Sequence, residues 1–267
     1  MSTRLAIRGV GVLAPGLEGW SAARDVLCGD AAWRDQPVAS PDVQQLPITE
    51  RRRVNATSRW AIAVADEAVA SLDASTRATL SAVFASADGD GDVLDQTLAA
   101  LAAAEPTLSP TLFHNSVFNA PVGYWSIATR SRGWATMICG GEGSAAAALL
   151  EGASQAYASG GAVLCVCVDL GYPGRLAGLH APGRSFACGI VLDAQPAAGG
   201  AWGSLAIGAG IVPSAGRTAT DAPLAAFEGN AAAELIPVLA RIARRESGVV
   251  ALPYFDGQAL RVEVVAP

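Results

Sequence analysis

Apolar residues along this chain alternate between short continuous runs and longer stretches with helical spacing. Leu5–Leu13 (LAIRGVGVL) reads as a buried strand that stops at the turn Ala14-Pro15-Gly16. Trp20–Leu27 is a short helix, and Cys28–Leu46 is loop-like, with Pro37, Pro41 and the following Pro47 as punctuation. In Ser58–Leu72, Ala61, Val64, Ala65, Ala68 and Val69 share one helical face. Leu80–Ser86 is a strand, and Leu94–Ala104 is a helix stopped by Pro106. The stretch from Thr111 to Asp169 then divides cleanly. A polar-aromatic segment leads to a strand (Trp134–Cys139) and a Gly-rich turn (Gly140–Gly143); an Ala-rich helix (Ser144–Ser159) and a strand (Ala162–Val168) follow. Beyond a Gly/Pro-rich loop (Leu170–Pro182) lie the strands Ser185–Asp193 and Gly203–Ile211 and a polar stretch, Val212–Pro223. Asn230–Arg245 is an amphipathic helix with Arg241, Arg244 and Arg245 at its dipole-favoured end and Pro237 as a kink site. Val249–Leu252 and Leu260–Val265 complete the strands. Strands alternating with helices imply an α/β domain around a mixed sheet, and no repeat of solenoid period is present.

Composition narrows the classes. Hydrophobic residues make up 51% of the 267 residues and charged residues 16%, which suggests that much surface is buried against a partner. A net charge of −6 excludes a nucleic-acid footprint, and no apolar run is long enough for a membrane span. The chain enters a strand pattern without a signal-peptide layout, so a cytoplasmic location is expected. Five scattered cysteines argue against a disulfide framework.

A strand feeding a tight turn that opens a helix is where α/β enzymes hold a nucleophile. Cys139 ends that strand but alternates with Met137 on a buried pattern. Glu142 is either an acid or base, or an anion that suits a helix N-terminus. The two histidines are His114, a candidate base or a hydrogen-bonded structural residue, and His180, in an exposed loop. Cys165 and Cys167 share a strand face, as core packing or as half of a metal site whose other ligands are missing. Gly9 and Gly11 form either part of a dinucleotide fingerprint without its third glycine or a site of close strand packing. Asp88-Gly-Asp90-Gly-Asp92 resembles the start of a calcium loop, but Val93 and Ala99 stand where Gly and Glu are needed, which favours a strand-end turn. Arg51, Arg52 and Arg53 are either the solvated start of a helix or a docking patch for an acidic carrier protein or phosphate.

Several pieces, in order, resemble the β-ketoacyl synthases of fatty-acid and polyketide synthesis. They are most similar to the short, N-terminal-half, chain-length-factor-like proteins of aryl polyene and xanthomonadin-type pathways. Leu5–Gly16 (with GVGVLAPG) resembles the opening strand, and Arg53–Ala70 the helix after a basic stretch. Phe113–Gly133 (FHNSVFNAPVGYWSIATRSRG) resembles the segment before the nucleophile strand. Gly160–Asp169 and Arg184–Asp193 resemble the two strands that follow the nucleophile helix. The resemblance spans roughly residues 5–193. It implies half of a thiolase-type fold: a mixed five-stranded sheet with helices on both faces. The whole of 1–267 would form one domain, with an extension from about residue 200.

By this resemblance the nucleophilic cysteine falls on Gly143, and the two histidines of the family's C-terminal half have no counterpart. A condensing enzyme needs a thiolate and donors for an enolate, and glycine supplies no attacking atom. Backbone N–H groups at the elbow would remain available. The resemblance therefore implies a non-catalytic subunit paired with a full-length β-ketoacyl synthase. It would reach an acyl carrier protein through the complex and need no cofactor or metal. In the family the strand before the elbow pairs across the dimer, which puts Trp134, Thr136 and Ile138 at the interface. Phe113, His114, Asn115, Phe118, Asn119, Tyr124 and Trp125 would line the contact and part of an acyl tunnel. The four aromatic side chains among them would set its length by volume. Asn115 and Asn119 would satisfy backbone groups at the seam or within their own loop. The alternatives are an acyltransferase or hydrolase using Cys139 with His114, and an acyl- or carrier-protein-binding module.

Overall fold

A computed structural model of the chain describes residues 4–177, 183–195, 202–213 and 225–267. His180 and most of the polar stretch Val212–Pro223 lie outside them. The strands are β1 (Leu5–Ala14), β2 (Leu17–Glu18), β3 (Ser81–Ala85), β4 (Ala135–Ile138), β5 (Ala162–Asp169), β6 (Phe186–Asp193), β7 (Ser204–Pro213), β8 (Gly248–Pro253) and β9 (Gln258–Val265). The helices are α1 (Trp20–Cys28), α2 (Ile48–Arg51), α3 (Ala56–Ala68), α4 (Ala74–Thr79), α5 (Gly91–Leu101), α6 (Pro110–Asn115), α7 (Ala120–Thr129), α8 (Ser144–Ser159) and α9 (Ile236–Arg244).

Among the described residues one sheet runs in the order β4-β3-β5-β6-β1-β7-β9-β8, with β2 also on β1, so it has nine strands rather than the five expected. The first five in that order are the expected mixed sheet: β3 is parallel to β4 and β5, and β6 alone runs against its neighbours. The surplus is local. β2 folds back on β1, and β7, β9 and β8 extend the sheet from the start of β1, where Leu5 pairs with Leu205. Without them β1 would be an open edge with unpaired backbone groups.

Helices cover both faces. One face packs against α1, α8 and α9 through residues such as Leu149, Leu192 and Leu239. The other packs against α3 and α7 through Ile62, Phe84 and Trp125. Gly9 and Gly11 are there for α3. A Cβ on Gly9 would lie 1.9 Å from Ala68 O, and one on Gly11 2.2 Å from Val64 O. The helix backbone rests directly on the strand, so the close-packing reading of this pair holds.

Element ends follow their caps. Asn55 Oδ1 accepts from Ser58 N and starts α3 two residues before the expected Ser58. Asp90 Oδ1 accepts from Val93 N at 2.9 Å, so the Asp-Gly-Asp-Gly-Asp run is a strand-end turn with a helix N-cap. Ser109 caps α6, with Pro110 in its first turn. Pro237 stands in the first turn of α9, after a 3-10 turn (Ala232–Leu235), and so starts that helix instead of kinking it.

Two substitutions test the glycine seat. Gly9→Ala should cost on the order of 3 kcal/mol, because the clash is with backbone that cannot swing aside. Gly123 in α7 has nothing within 4 Å of a built Cβ, and Gly123→Ala should gain about 0.5–1 kcal/mol. Chemical denaturation of the two variants should move the midpoint in opposite directions; a neutral Gly9→Ala would refute the seat.

Candidate functional site

The elbow sits at the C-terminal ends of the parallel strands. β4 ends at Ile138, a 3-10 turn spans Gly141–Gly143, and α8 begins at Ser144. Gly141 has φ +53°, a left-handed conformation that glycine adopts without strain. Part of the backbone donor set expected to be available here is already used. Gly140 N–H donates to Ser144 Oγ at 3.0 Å and Gly143 N–H to Gly140 O at 3.0 Å, while Ser144 Oγ–H donates to Gly141 O at 2.8 Å.

The position is also covered. A Cβ on Gly143 would lie 3.3 Å from Tyr254 Cα and 3.4 Å from Tyr254 C. One on Gly140 would lie 3.1 Å from Phe255 Cζ. Both aromatic residues stand at the tip of the β8–β9 hairpin, stacked edge to face at 4.5 Å between centroids. Asp256 and Gly257 have φ +54° and +70°, and Gln258 N–H donates to Phe255 O at 3.0 Å, the geometry of a type I′ turn. Asp-Gly between two apolar runs was the sequence signal for this hairpin, and the sequence reading passed over it. Tyr254 and Phe255 are the site residues missed in consequence.

The reactive side chains do not converge. Cys139 is exposed, not buried as its alternation suggested, and its Sγ–H donates to Ala87 O at 3.0 Å. His114 is exposed and packs edge-on against Tyr124. Glu142 is exposed at the turn. Cys165, Cys167 and Cys188 are buried free thiols. Burial pushes Cys165 up to about 12 and also raises Cys167 well above the usual thiol range, which suits core packing and not thiolate chemistry. Among the described residues no group of three or more His, Cys, Asp or Glu could hold a metal ion. None of their helices is long and apolar enough to cross a membrane.

One buried carboxylate organises this end of the sheet. Asp169, at the end of β5, accepts from Ser86 Oγ (2.7 Å), Ala87 N (2.8 Å) and Ala232 N (3.0 Å). Burial raises its pKa to about 6 against the pull of those three donors. Asn230 Nδ2 donates to Asp169 O and Arg184 O, at 2.9 and 2.8 Å. The C-terminal segment is thereby fastened beside the elbow.

Away from the elbow, β4 is the outermost strand, paired only with β3 among the described residues. Trp134 at its start is 84% exposed, and Thr136 and Ile138 are half-buried. Phe113 is 64% exposed and Phe118 36%. Tyr124 and Trp125, expected at the same surface, are in the chain's own core: Tyr124 Oη–H donates to Asn115 Oδ1 at 3.0 Å, and Trp125 packs on Phe84. Asn115 also donates to Arg53 O at 2.6 Å, so it ties α6 to the segment before α3 and not to its own loop, whereas Asn119 is exposed and makes no side-chain cap for α7. Arg51 donates to Gln44 O and Leu46 O, holding the preceding loop, and Arg53 pairs with Glu50 at 4.0 Å. Arg52 and Arg53 point outward.

Beside this face a cleft of about 200 Å³ opens between α3, α5 and α6. Phe118 lies over Gly89, where a Cβ would touch its ring at 3.6 Å, and lines the cleft with Leu94, Val117 and Asp90.

Solved structures share this arrangement. A chain of the ketosynthase ApeO in complex with its chain length factor ApeC, from Xenorhabdus doucetiae, superposes with a TM-score of 0.73 at 21% identity, covering 97% of this chain and 98% of that one. A chain of the AntDE:AntF complex, a type II polyketide acyl-carrier protein with its ketosynthase bound to the hexaketide, gives 0.76 at 11% identity, with both chains fully covered. The ketosynthase from module 6 of the bacillaene synthase of Bacillus subtilis 168 gives 0.59 at 16%, covering 80% of this chain but 42% of that one. At these identities the likeness is one of fold, the thiolase-like fold of ketosynthases. No curated protein sequence matches the chain. The sequence profile of the β-ketoacyl synthase N-terminal domain matches residues 22–248, and the chain belongs to that family.

Proposed function

We propose that this protein is a non-catalytic, chain-length-factor-like subunit. It pairs with a full-length β-ketoacyl synthase, stabilises it and bounds the tunnel that holds the growing acyl chain, in polyketide elongation of the aryl polyene type. The observation that carries this reading is an elbow with no side chain at Gly143, the N–H groups of Gly140 and Gly143 bonded internally and its surface covered by Tyr254 and Phe255. The active-site shape is kept and the chemistry is absent. The partner's cysteine would carry the chain and condense it with units delivered by an acyl carrier protein.

The exposed features support the same role. An unpaired edge strand headed by Trp134 lets a partner's strand continue the sheet, with a large aromatic anchor of the kind that dominates interface energies. Phe113 and Phe118 stand on the adjoining surface, free to bound a cavity, whereas Tyr124 and Trp125 act indirectly by fixing α7. Arg52 and Arg53 are the outward cations for a carrier protein that approaches the complex. Two known assemblies fit this picture: a ketosynthase with its chain length factor, and an acyl-carrier protein with its ketosynthase. An acyltransferase using Cys139 and His114 lacks their mutual contact, since each is engaged elsewhere.

Three outcomes test the proposal. Co-expression with a ketosynthase encoded beside it should convert an aggregating chain into a soluble heterodimer on size exclusion, and Trp134→Ala should weaken that heterodimer by about 2 kcal/mol or more. A well-behaved monomer with condensing activity of its own would end the reading. In a complex whose ketosynthase cysteine has been removed, Gly143→Cys should give no elongation by mass spectrometry, because the added side chain meets the Tyr254 backbone. Phe118→Ala should shift the product distribution to longer chains; an unchanged distribution would remove Phe118 from the tunnel.

A further inference from the structure

The free edge of β4 presents a definite row of backbone groups. Trp134 O accepts from Ala82 N–H at 2.7 Å, and Ile138 O accepts from Ser86 N–H at 3.2 Å. Successive residues of a strand turn their N–H and C=O to opposite sides, so Trp134, Thr136 and Ile138 face β3. Ala135 and Met137 turn theirs outward, where no strand among the described residues meets them. A row of this kind is a template for another strand.

The edge is complementary to itself. In an antiparallel pairing of two copies about Thr136, Ala135 of each copy faces Met137 of the other, and the facing residues exchange their N–H and C=O bonds. Trp134, which is 84% exposed, then falls opposite the half-buried Ile138, and Thr136 falls opposite Thr136. An aromatic residue with a β-branched one, and threonine with threonine, are cross-strand pairs that stabilise antiparallel sheets. The charges beyond the strand obey the same rule. Arg130 and Arg132 are exposed before β4. Glu142 is exposed after it, as is Asp88, next to the Ala87 carbonyl that Cys139 bonds. Antiparallel addition brings the arginine end of each copy to the carboxylate end of the other, whereas parallel addition would set like charges together.

We propose that, without a ketosynthase, two copies of this chain pair through β4 as an isologous dimer, with one sheet running through both. The inference rests on the edge alone and not on the function proposed above. One edge holds one strand, so self-pairing and pairing with a ketosynthase exclude each other. The dimer is then the form that an arriving ketosynthase has to take apart, and Arg130, Arg132 and Glu142 select by charge the strand that adds.

The test is sedimentation equilibrium on the soluble fraction of the chain expressed alone, at low micromolar concentration, where a reversible monomer–dimer equilibrium is expected. Ala135→Pro removes an outward N–H and leaves the bonds to β3 in place, a position where an edge strand tolerates proline, and it should leave only monomer. Arg130→Glu together with Arg132→Glu sets like charges at both ends of the edge and should weaken the dimer about tenfold. Adding Glu142→Arg to that variant should recover about threefold or more of the loss. The charge changes lie outside the strand, so they still decide the matter should Ala135→Pro disturb β4. A parent that stays monomeric would overturn the inference, as would an Ala135→Pro chain that still dimerises or a charge reversal without effect. A chain that dimerises alone but pairs with no ketosynthase would end the proposed function and leave this inference standing; a monomer that pairs with one would do the opposite.

Discussion

The carboxylate of Asp169 is the point to which this end of the fold is tied. It is buried at the end of β5 and holds the end of β3 through Ser86 and Ala87 and the C-terminal segment through Ala232. Ala87 in turn accepts from Cys139, the residue at which β4 turns into the elbow. Asp88, Gly89 and Asp90, which follow directly, form one wall of the cleft. A buried charge of this kind is tolerated only when several donors surround it, and removing their common acceptor would leave each of them unsatisfied at about 1–3 kcal/mol. Elbow, cleft and covering segment therefore share one anchor.

From that anchor the molecule has two contrasting surfaces. Toward the elbow it is closed. The Gly143 N–H is bonded within the turn, and the hairpin tip stands over the glycines, close enough that a side chain at position 143 would meet backbone. Toward β4 it is open, with a strand edge unpaired among the described residues and exposed aromatic groups. A free strand edge offers unpaired N–H and C=O groups to which another strand can add. The elbow is covered and this strand edge is left free, so a further strand can pair there without disturbing the elbow. The low proportion of charged residues fits the same account, because a surface covered by a partner does not need them.

The three C-terminal strands extend the central sheet beyond β1. β7 takes the open edge at the start of β1, and β9 and β8 build outward from it. The 3-10 turn and α9 pack on the face that also carries α1 and α8, so the first turns of α8 are buried on every side. One compact extension thus closes the sheet edge, the helix face and the elbow.

Local signals in the sequence determined the five central strands, α3, α8 and the glycine-rich turn between β4 and α8. Each rests on hydrophobic period, on a cap, or on the absence of a side chain, and these are written residue by residue. The polar-aromatic segment yielded less. α6 and α7 escaped notice because α7 is apolar on nearly all sides and shows no amphipathic stripe, although Ser109-Pro110 marked where α6 begins. Tertiary structure alone decided which aromatic side chains face outward. Phe113, Phe118, Tyr124 and Trp125 look alike in sequence, and only the packing of α7 on α3 and β3 buries the last two. It also decided that Tyr254 and Phe255, more than 100 residues from the elbow, cover it. Contacts at that separation depend on how the sheet twists and on which edge the extension joins, and no local pattern encodes either.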